Sequence, residues 1–417
     1  MSEKSTYQPT TALGRFFDSR LPLPRMVHDQ FITFPTPRNL NIWYTFGAIL
    51  AVFLVLQIVT GIVLAMHYVA DEKLAFASVE TIMRDINYGW LIRSMHATGA
   101  SALFFALFVH LLRGIYYGSH KAPREIVWII GVLIYIVMVA TAFLGYVLPW
   151  GQMSYWAATV ITSVFGSIPV IGESLTHWLW GGYAVGAPTL TRFYALHYLL
   201  PFVIFALVGL HIWALHAVGN NNPLGIDTKG PADTLPFHPF FTIRDGLAVV
   251  VFLIVYAVFV FYAPDAFGNP DNAIPANPLV TPAELTPEWY LRPYYAMLRA
   301  IPFKLVGVIV LFGAFVTPLF APWLDYGKVR SCRFRPLMKL FFWGFVAACL
   351  MLGYAGSEPV DGVIHLGVVS LPLVWLARLA TLYYFGFFWV VMPVLSKIEK
   401  TLPVPDSIAT PVLEARS

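Results

Sequence analysis

The sequence predicts an all-α membrane protein with eight transmembrane helices and a four-helix bundle in its N-terminal half. Three observations predict it. The first is composition: 58% of the 417 residues are hydrophobic, 16% aromatic and only 12% charged, where soluble domains carry roughly 25% charged residues. A mean hydropathy of +0.70 over this length cannot be closed around a water-soluble core, so most apolar surface faces lipid. The second is a series of eight apolar stretches of about the length that crosses a bilayer as helix. The third is the placing of lysine and arginine in alternate connections, the mark of the inner side.

The stretches run, in order, Trp43 to His67, Trp90 to Tyr116, Ile126 to Trp150, Phe193 to Val218, Gly246 to Ala263, Pro302 to Leu319, Leu337 to Gly353 and Leu366 to Met392. The second and fourth are interrupted by arginine and histidine. Residues 1–40 are polar and proline-punctuated with no continuous apolar run, so they do not read as a cleavable secretory signal. Ala12 to Phe31 reads either as an amphipathic surface helix, with Arg15, Arg20 and Arg25 near lipid headgroups, or as a plain arm.

Basic residues concentrate in the N-terminal arm (Lys4, Arg15, Arg20, Arg25, Arg38), in the second connection (Arg113, Lys121, Arg124) and in the sixth (Lys328, Arg330, Arg333, Arg335, Lys339). The alternate connections are poorer. Both termini then lie inside, and the second, fourth, sixth and eighth spans run from outside to inside. Ser154 to Tyr183, in the outer connection before the fourth span, reads as a pair of surface helices. The proline-rich connection Pro264 to Arg299 is too apolar for a simple linker and is expected to fold against the bundle. The two cysteines, Cys332 and Cys349, are far apart, and no Cys-x-x-Cys-His occurs. A disulfide framework and a covalent c-type haem are not expected.

The second span carries His96 and His110, and the fourth carries His197 and His211; each pair is 14 residues apart. Fourteen residues of α-helix rise about 21 Å in nearly four turns, so both histidines of a span share one face. Because the two spans are parallel, His96 pairs with His197 towards the outside and His110 with His211 towards the inside. Two facing imidazoles can ligate a haem iron from both sides, leaving no open position, which suits electron transfer. Taken singly, each histidine reads as a hydrogen-bonded core residue. Two pairs with one spacing on parallel helices favour ligands, since intramembrane histidine is uncommon and functional.

The neighbouring spans repeat the period. Gly47 and Gly61 in the first span, and Gly131 and Gly145 in the third, are again 14 apart. Glycine lets backbone approach a flat macrocycle closely; small-residue helix packing is the plainer reading. Arg93 stands three residues before His96, and Arg113 three after His110. Both are placed to pair with the acidic groups of a bound haem, and snorkelling arginine is the plain alternative.

On these residues, on Gly145-Tyr146-Val147-Leu148-Pro149-Trp150-Gly151-Gln152-Met153-Ser154 and on Pro287-Glu288-Trp289-Tyr290, the chain resembles the cytochrome b family of respiratory ubiquinol–cytochrome c oxidoreductases over nearly its whole length. The chloroplast-type branch is split after the fourth helix and has one more residue between the histidines of that helix, so the resemblance is to the respiratory branch. It implies two non-covalent haems b and two sites for ubiquinone or ubiquinol. At an outer site Glu288 would accept a proton, with Tyr295 and Tyr146 lining the pocket. At an inner site His216 and Asp245 would exchange protons with quinone, beside Arg244. The competing reading of Thr286, Pro287 and Glu288 is a helix start, with cap, first-turn proline and first-turn acid. His216 and Asp245 read alternatively as residues suited to a helix C-terminus and N-terminus.

The resemblance further implies that quinol is oxidised outside, that one electron passes through both haems to reduce quinone inside, and that protons cross with it. Its expected partners are an iron–sulfur (Rieske) subunit, a c-type cytochrome subunit, quinone, the lipid membrane and a second copy of the complex. Nucleic acid is not among them. The expected place is a bacterial plasma (inner) membrane, ahead of the mitochondrial inner membrane. Two regions are expected: residues 1–230 with the haem-binding four-helix bundle, and residues 231–417 with the last four spans and the outer quinol-site loop. A proton-coupled carrier would suit eight spans with intramembrane histidines, but it predicts internal repeats, which are not evident, and leaves the 14-residue spacing unexplained. A haem–copper oxidase needs a further histidine cluster. A haem-carrying membrane anchor has no use for Pro287 to Tyr290.

Overall fold

The computed structural model describes residues 5–366 and 369–409. Lys4, and residues 367 and 368 of the expected eighth span, lie outside the described residues. The arm opens with α1 (Ala12–Asp18) and α2 (Leu23–Val27), followed by one π turn over His28–Ile32. Thr11 caps α1 by accepting from the Gly14 N–H at 2.9 Å. One continuous surface helix from Ala12 to Phe31 is therefore not formed. Pro22 and Pro24 break it, because proline has no N–H to give and its ring clashes with the preceding turn. Strand β1 (Pro35–Pro37) then pairs antiparallel with β2 (Thr234–Pro236), Thr36 opposite Leu235, which ties the arm to the connection after the fourth span.

Eight helices among the described residues are long and apolar enough to cross a bilayer. The first is α3 (Phe46–Ala65), and the short α4 (Ala75–Arg84) follows it. The second and third are α5 (Gly89–Tyr116) and α6 (Glu125–Val147). Helices α7 (Gln152–Ser163) and α8 (Gly172–Trp180) are the expected surface pair. The fourth and fifth spans are α9 (Ala187–Val218) and α10 (Phe240–Tyr262). Short α11 (Arg292–Ala300) precedes the sixth, which joins α12 (Lys304–Val316), a 3-10 turn and α13 (Ala321–Leu324). The seventh is α14 (Pro336–Ser357). The eighth joins α15 (Leu373–Gly386), a π turn and α16 (Met392–Ile398).

Three span boundaries extend well beyond the hydropathy reading, one of them the end of the eighth span at Ile398 rather than Met392. Helix α9 begins at Ala187 rather than Phe193, and α10 at Phe240 rather than Gly246. In each, a first turn or two holding arginine (Arg192; Arg244 with Asp245) masks the helix from a hydropathy scan. The eighth span starts late, at Leu373, because β3 (Val363–Leu366) and β4 (Val369–Pro372) pair antiparallel before it.

Connections of like parity meet at each end. At one end Arg124 Nε donates to the Gly219 carbonyl at 2.9 Å, Lys121 Nζ to Gly327 O at 2.9 Å, and Arg330 to Asp227 at 2.7 Å. This is the arginine-rich, inner end. At the other, the Tyr68 hydroxyl donates to Leu148 O at 2.7 Å, Gln152 N to Ile274 O at 2.9 Å, and Arg299 to Glu358 O at 2.9 Å. Large apolar side chains such as Phe105, Trp213, Val251, Leu340 and Leu382 are exposed along the helices. In lipid that is their favoured placement.

Helix α3 packs along α5, and α6 along α9, and these are the two tightest pairings of the bundle. The pairs face each other with α5 opposite α9. Pro201 lies inside α9; having no N–H, it leaves the carbonyl four residues back, that of His197, without its helical donor.

Candidate functional site

The outer histidine pair is built from four helices, α3, α5, α6 and α9. Thr60 Oγ1 of α3 donates to the Leu56 carbonyl at 2.7 Å and lies 2.9 Å from His96 Nδ1. Its hydroxyl proton being engaged, it accepts from Nδ1–H. His197 Nδ1 lies 2.8 Å from the Thr141 carbonyl of α6, which can only accept. Both rings thus carry the proton on Nδ1 and keep the Nε2 lone pair free. Anchoring one nitrogen to a backbone or hydroxyl oxygen is how metal-binding histidines are oriented. The rings face each other with centres 6.1 Å apart.

The inner pair has centres 6.4 Å apart but lacks the same anchoring, His211 Nδ1 having no partner among the described residues. Two imidazoles bound to opposite sides of one first-row metal ion, at metal–nitrogen distances of about 2.0–2.1 Å, have ring centres roughly 6.3 Å apart. Both separations fit a bis-histidine iron. Arg113 stands beside this pair, its guanidinium 3.4 Å from His110 Nδ1 and 4.4 Å over the Tyr44 ring.

The four glycines each meet one histidine. A Cβ on Gly61 would lie 3.1 Å from His96 Cε1, one on Gly131 3.1 Å from His211 Cε1, and one on Gly47 3.5 Å from His110 Cε1; on Gly145 it would overlap the His197 ring. The close approach lies at the ligand rings, not at the gap between them where the sequence reading put it. The inner end also holds buried polar atoms without a partner among the described residues: Arg38 Nε, Arg113 Nε, Arg244 Nε and Asp245 Oδ1. Buried orphans of this kind call for a polar ligand.

Glu288 lies in the outer connection, and the helix-start reading of its segment is corrected: α11 begins four residues later, at Arg292. The Trp289 indole N–H donates to Ser101 Oγ at 3.1 Å, and the Tyr290 ring stacks on Phe104 at 3.9 Å and 2°. Both anchor the segment to α5. Burial pushes the Glu288 carboxyl up to about 7, against the opposing charges of Arg292 and Arg93 and a hydrogen bond from Tyr146. Glu288 and Tyr146 are thus brought together. Tyr295 carries the Arg299 guanidinium over its ring at 4.4 Å.

The connection is stitched down beside this segment. Asn272 Oδ1 accepts from Ser154 N at 2.8 Å and Ser154 Oγ at 2.9 Å, and Gln152 Nε2 donates to Val280 O at 2.8 Å. On the inner side His216 and Asp245 make no hydrogen bond or ion pair with each other among the described residues. His216 Nδ1 meets Gln30 Oε1 at 2.7 Å, and Asp245 lies 3.8 Å from Arg244. The reading from sequence missed Thr60, Thr141, Asn272 and Gln30. Thr60 directly precedes Gly61, and no comparable signal marks the others.

Comparison with known proteins accords with this geometry. The family described as Cytochrome b/b6/petB matches residues 31–219, and Cytochrome b(C-terminal)/b6/petD matches residues 275–385. A cytochrome b of Rhodospirillum rubrum is 53% identical over 398 residues, 95% of this chain and 96% of that relative. A cytochrome b/c1 of Bradyrhizobium diazoefficiens is 55% identical over 99% of this chain, and the chain spans 59% of that relative's length. A solved structure, a hyperthermophilic respiratory complex III, superposes with a TM-score of 0.85 at 36% identity, covering 92% of this chain and 99% of its own. The chain therefore belongs to the cytochrome b family, as a multi-pass, electron-transport membrane subunit of the kind found in respiratory complex III.

Proposed function

We propose that the chain is the catalytic membrane subunit of a proton-translocating quinol–cytochrome c reductase, oxidising quinol at an outer site and reducing quinone at an inner one. The observation that carries this reading is the pair of facing histidine couples at 6.1 and 6.4 Å, each ring backed by a glycine. His96 and His197 would hold an outer haem b, and His110 and His211 an inner one, with Arg93 and Arg113 towards their acidic groups. Haem bound at both places supplies a one-electron path over about 21 Å of a roughly 30 Å hydrocarbon core. Against a membrane potential, a charge crossing the full span costs about 2.3 kcal/mol per 100 mV.

At the outer site Glu288 accepts a proton from quinol. A carboxyl held near neutrality by burial suits that task, because an efficient base has its pKa near the working pH. Tyr146 orients the carboxyl, and Tyr295 lines the approach by holding Arg299. At the inner site His216 and Asp245 deliver protons to quinone, and Arg244 steadies the developing negative charge. Separating the two sites across the bundle makes the chemistry release protons on one side and take them up on the other.

The partners that fit are an iron–sulfur subunit and a c-type cytochrome; the name of the Bradyrhizobium relative, cytochrome b/c1, supports the latter. The complex acts as a dimer in a bacterial inner membrane, and its bacterial relatives support that location. Residues 1–230 form the haem-binding region and 231–417 carry the outer loop. Membranes holding the complex, given quinol and an oxidised c-type cytochrome, test the reading. Quinol-dependent cytochrome reduction is expected, and its absence from a haem-loaded complex would overturn it.

A further inference from the structure

We propose that Gln30, in the N-terminal arm, is the positioning residue that fixes the orientation and tautomer of His216 for quinone bound at the inner site. This rests on the reading that His216 serves that site. Three features of the arm carry it. The β1–β2 ladder, with His238 N donating to Ile32 O and Phe237 N to Phe34 O, both at 3.1 Å, holds the arm against the end of α9. Phe34 stacks on the His216 ring at 4.3 Å and 19°, while Phe31 meets it edge-on at 5.9 Å. Gln30 Oε1 lies 2.7 Å from His216 Nδ1.

The chemistry follows from the donor inventory. An amide oxygen can only accept, so Nδ1 carries the proton and the neutral ring presents its lone pair at Nε2. Nε2 makes no hydrogen bond among the described residues. Turning the ring over would exchange Nδ1 for a carbon and forfeit the Gln30 bond, and the Phe34 stack confines the ring plane. His216 is therefore held with one fixed face to the arm and one nitrogen open, able to accept a hydrogen bond when neutral and to donate one when protonated. Without Gln30, tautomer and ring orientation would both be divided, and only a fraction of the complexes would be ready to engage quinone.

The test uses the assembled complex with its haem pre-reduced and re-oxidised by added ubiquinone. Gln30→Met keeps the length and removes the acceptor; Gln30→Glu keeps an acceptor in the same place. The expected result is an apparent KM for ubiquinone raised about five- to tenfold in Q30M, with the rate at saturation little changed and with Q30E close to the parent. An isotope-edited infrared spectrum of His216 should show the Nδ1–H form in the parent and Q30E, and a mixture in Q30M. An unchanged KM in Q30M, or equal impairment in both variants, would overturn the proposal, the second because it points to arm packing alone. Should Q30M fail to assemble, Gln30→Asn, whose amide stops one carbon short, takes its place with the same two readings. His216→Leu separates the layers. If it leaves re-oxidation unchanged, the inner-site reading itself fails; if it slows re-oxidation and Q30M does not, only the role of Gln30 fails.

Discussion

Gly145 and Glu288 show how single residues set the chemistry. A methyl group at Gly145 would overlap the His197 imidazole, and that ring is held by the Thr141 carbonyl at 2.8 Å. It cannot retreat without losing this bond. Gly145→Ala is expected to lose the outer haem or leave it with an altered potential, whereas Gly47→Ala, with Cε1 at 3.5 Å, is expected to keep its own; haem counted by reduced-minus-oxidised spectra checks both. Glu288 is raised to about 7 by burial. Its base form grows as pH rises through that value, so quinol oxidation should climb between about pH 6 and 8. Glu288→Gln should abolish this limb and slow turnover by about 10²–10⁴-fold. A steady-state pH profile decides it, and a limb that survives in the variant would contradict the role. At this scale the histidines were legible in the sequence because a 14-residue spacing maps onto whole helical turns. Their Nδ1 partners were not: the Thr141 carbonyl is a backbone atom on another helix, and no side-chain pattern announces it.

The elements place these residues by packing rather than by local propensity. Helix pairs α3–α5 and α6–α9 face each other, with the two histidine couples set between α5 and α9. Over the outer end, the connection 264–291 is held to α7 through Gln152, which bonds Ile274, Asn277 and Val280, and through Asn272, whose side-chain oxygen accepts from Ser154 N. Asn272→Ala leaves the Ser154 N–H unpaired, at about 1–3 kcal/mol, while the Ser154 hydroxyl keeps the Tyr146 carbonyl at 2.7 Å. Faster amide hydrogen exchange across residues 264–291 is the expected result, with the histidine pairs unaffected. Five of the eight spans were legible to within about five residues from hydropathy alone. The starts of α9 and α10 were hidden by arginine in their opening turns, and the hairpin before α15 by its apolar valines and leucines, which a hydropathy scan cannot tell from helix.

Across the whole molecule, one buried ionic cluster joins the two halves at the inner end. Asp325, just past α13, is 2.9 Å from Lys121 Nζ, 2.8 Å from Arg335 and 3.2 Å from His120 Nε2; Arg335 also meets Glu399 at 3.0 Å, after α16. Burial alone would raise the Asp325 carboxyl. The hydrogen bond with His120 and the charges of Lys121 and Arg335 outweigh this and hold it well below the usual carboxylate range. A depressed carboxylate contributes stability that is present above its unfolded value near pH 4 and lost as pH falls through the folded one. Asp325→Asn leaves Lys121 and Arg335 buried with too little compensation, a loss of about 3–5 kcal/mol. A clearly lower temperature of haem release at neutral pH is the expected reading. Nothing in the sequence signalled this cluster, because its members are 205 residues apart (His120 to Asp325) and each reads alone as a basic or acidic loop residue.

On the proposed function, the two histidine couples hold two haems as a wire across the membrane. A redox titration of the purified protein, followed through its visible spectrum with haem counted per chain, tests it most directly. Two haems b per chain with separable potentials are predicted, one of them lost in His197→Leu. No haem, a single haem, or a His197→Leu variant that keeps both would contradict the pairing.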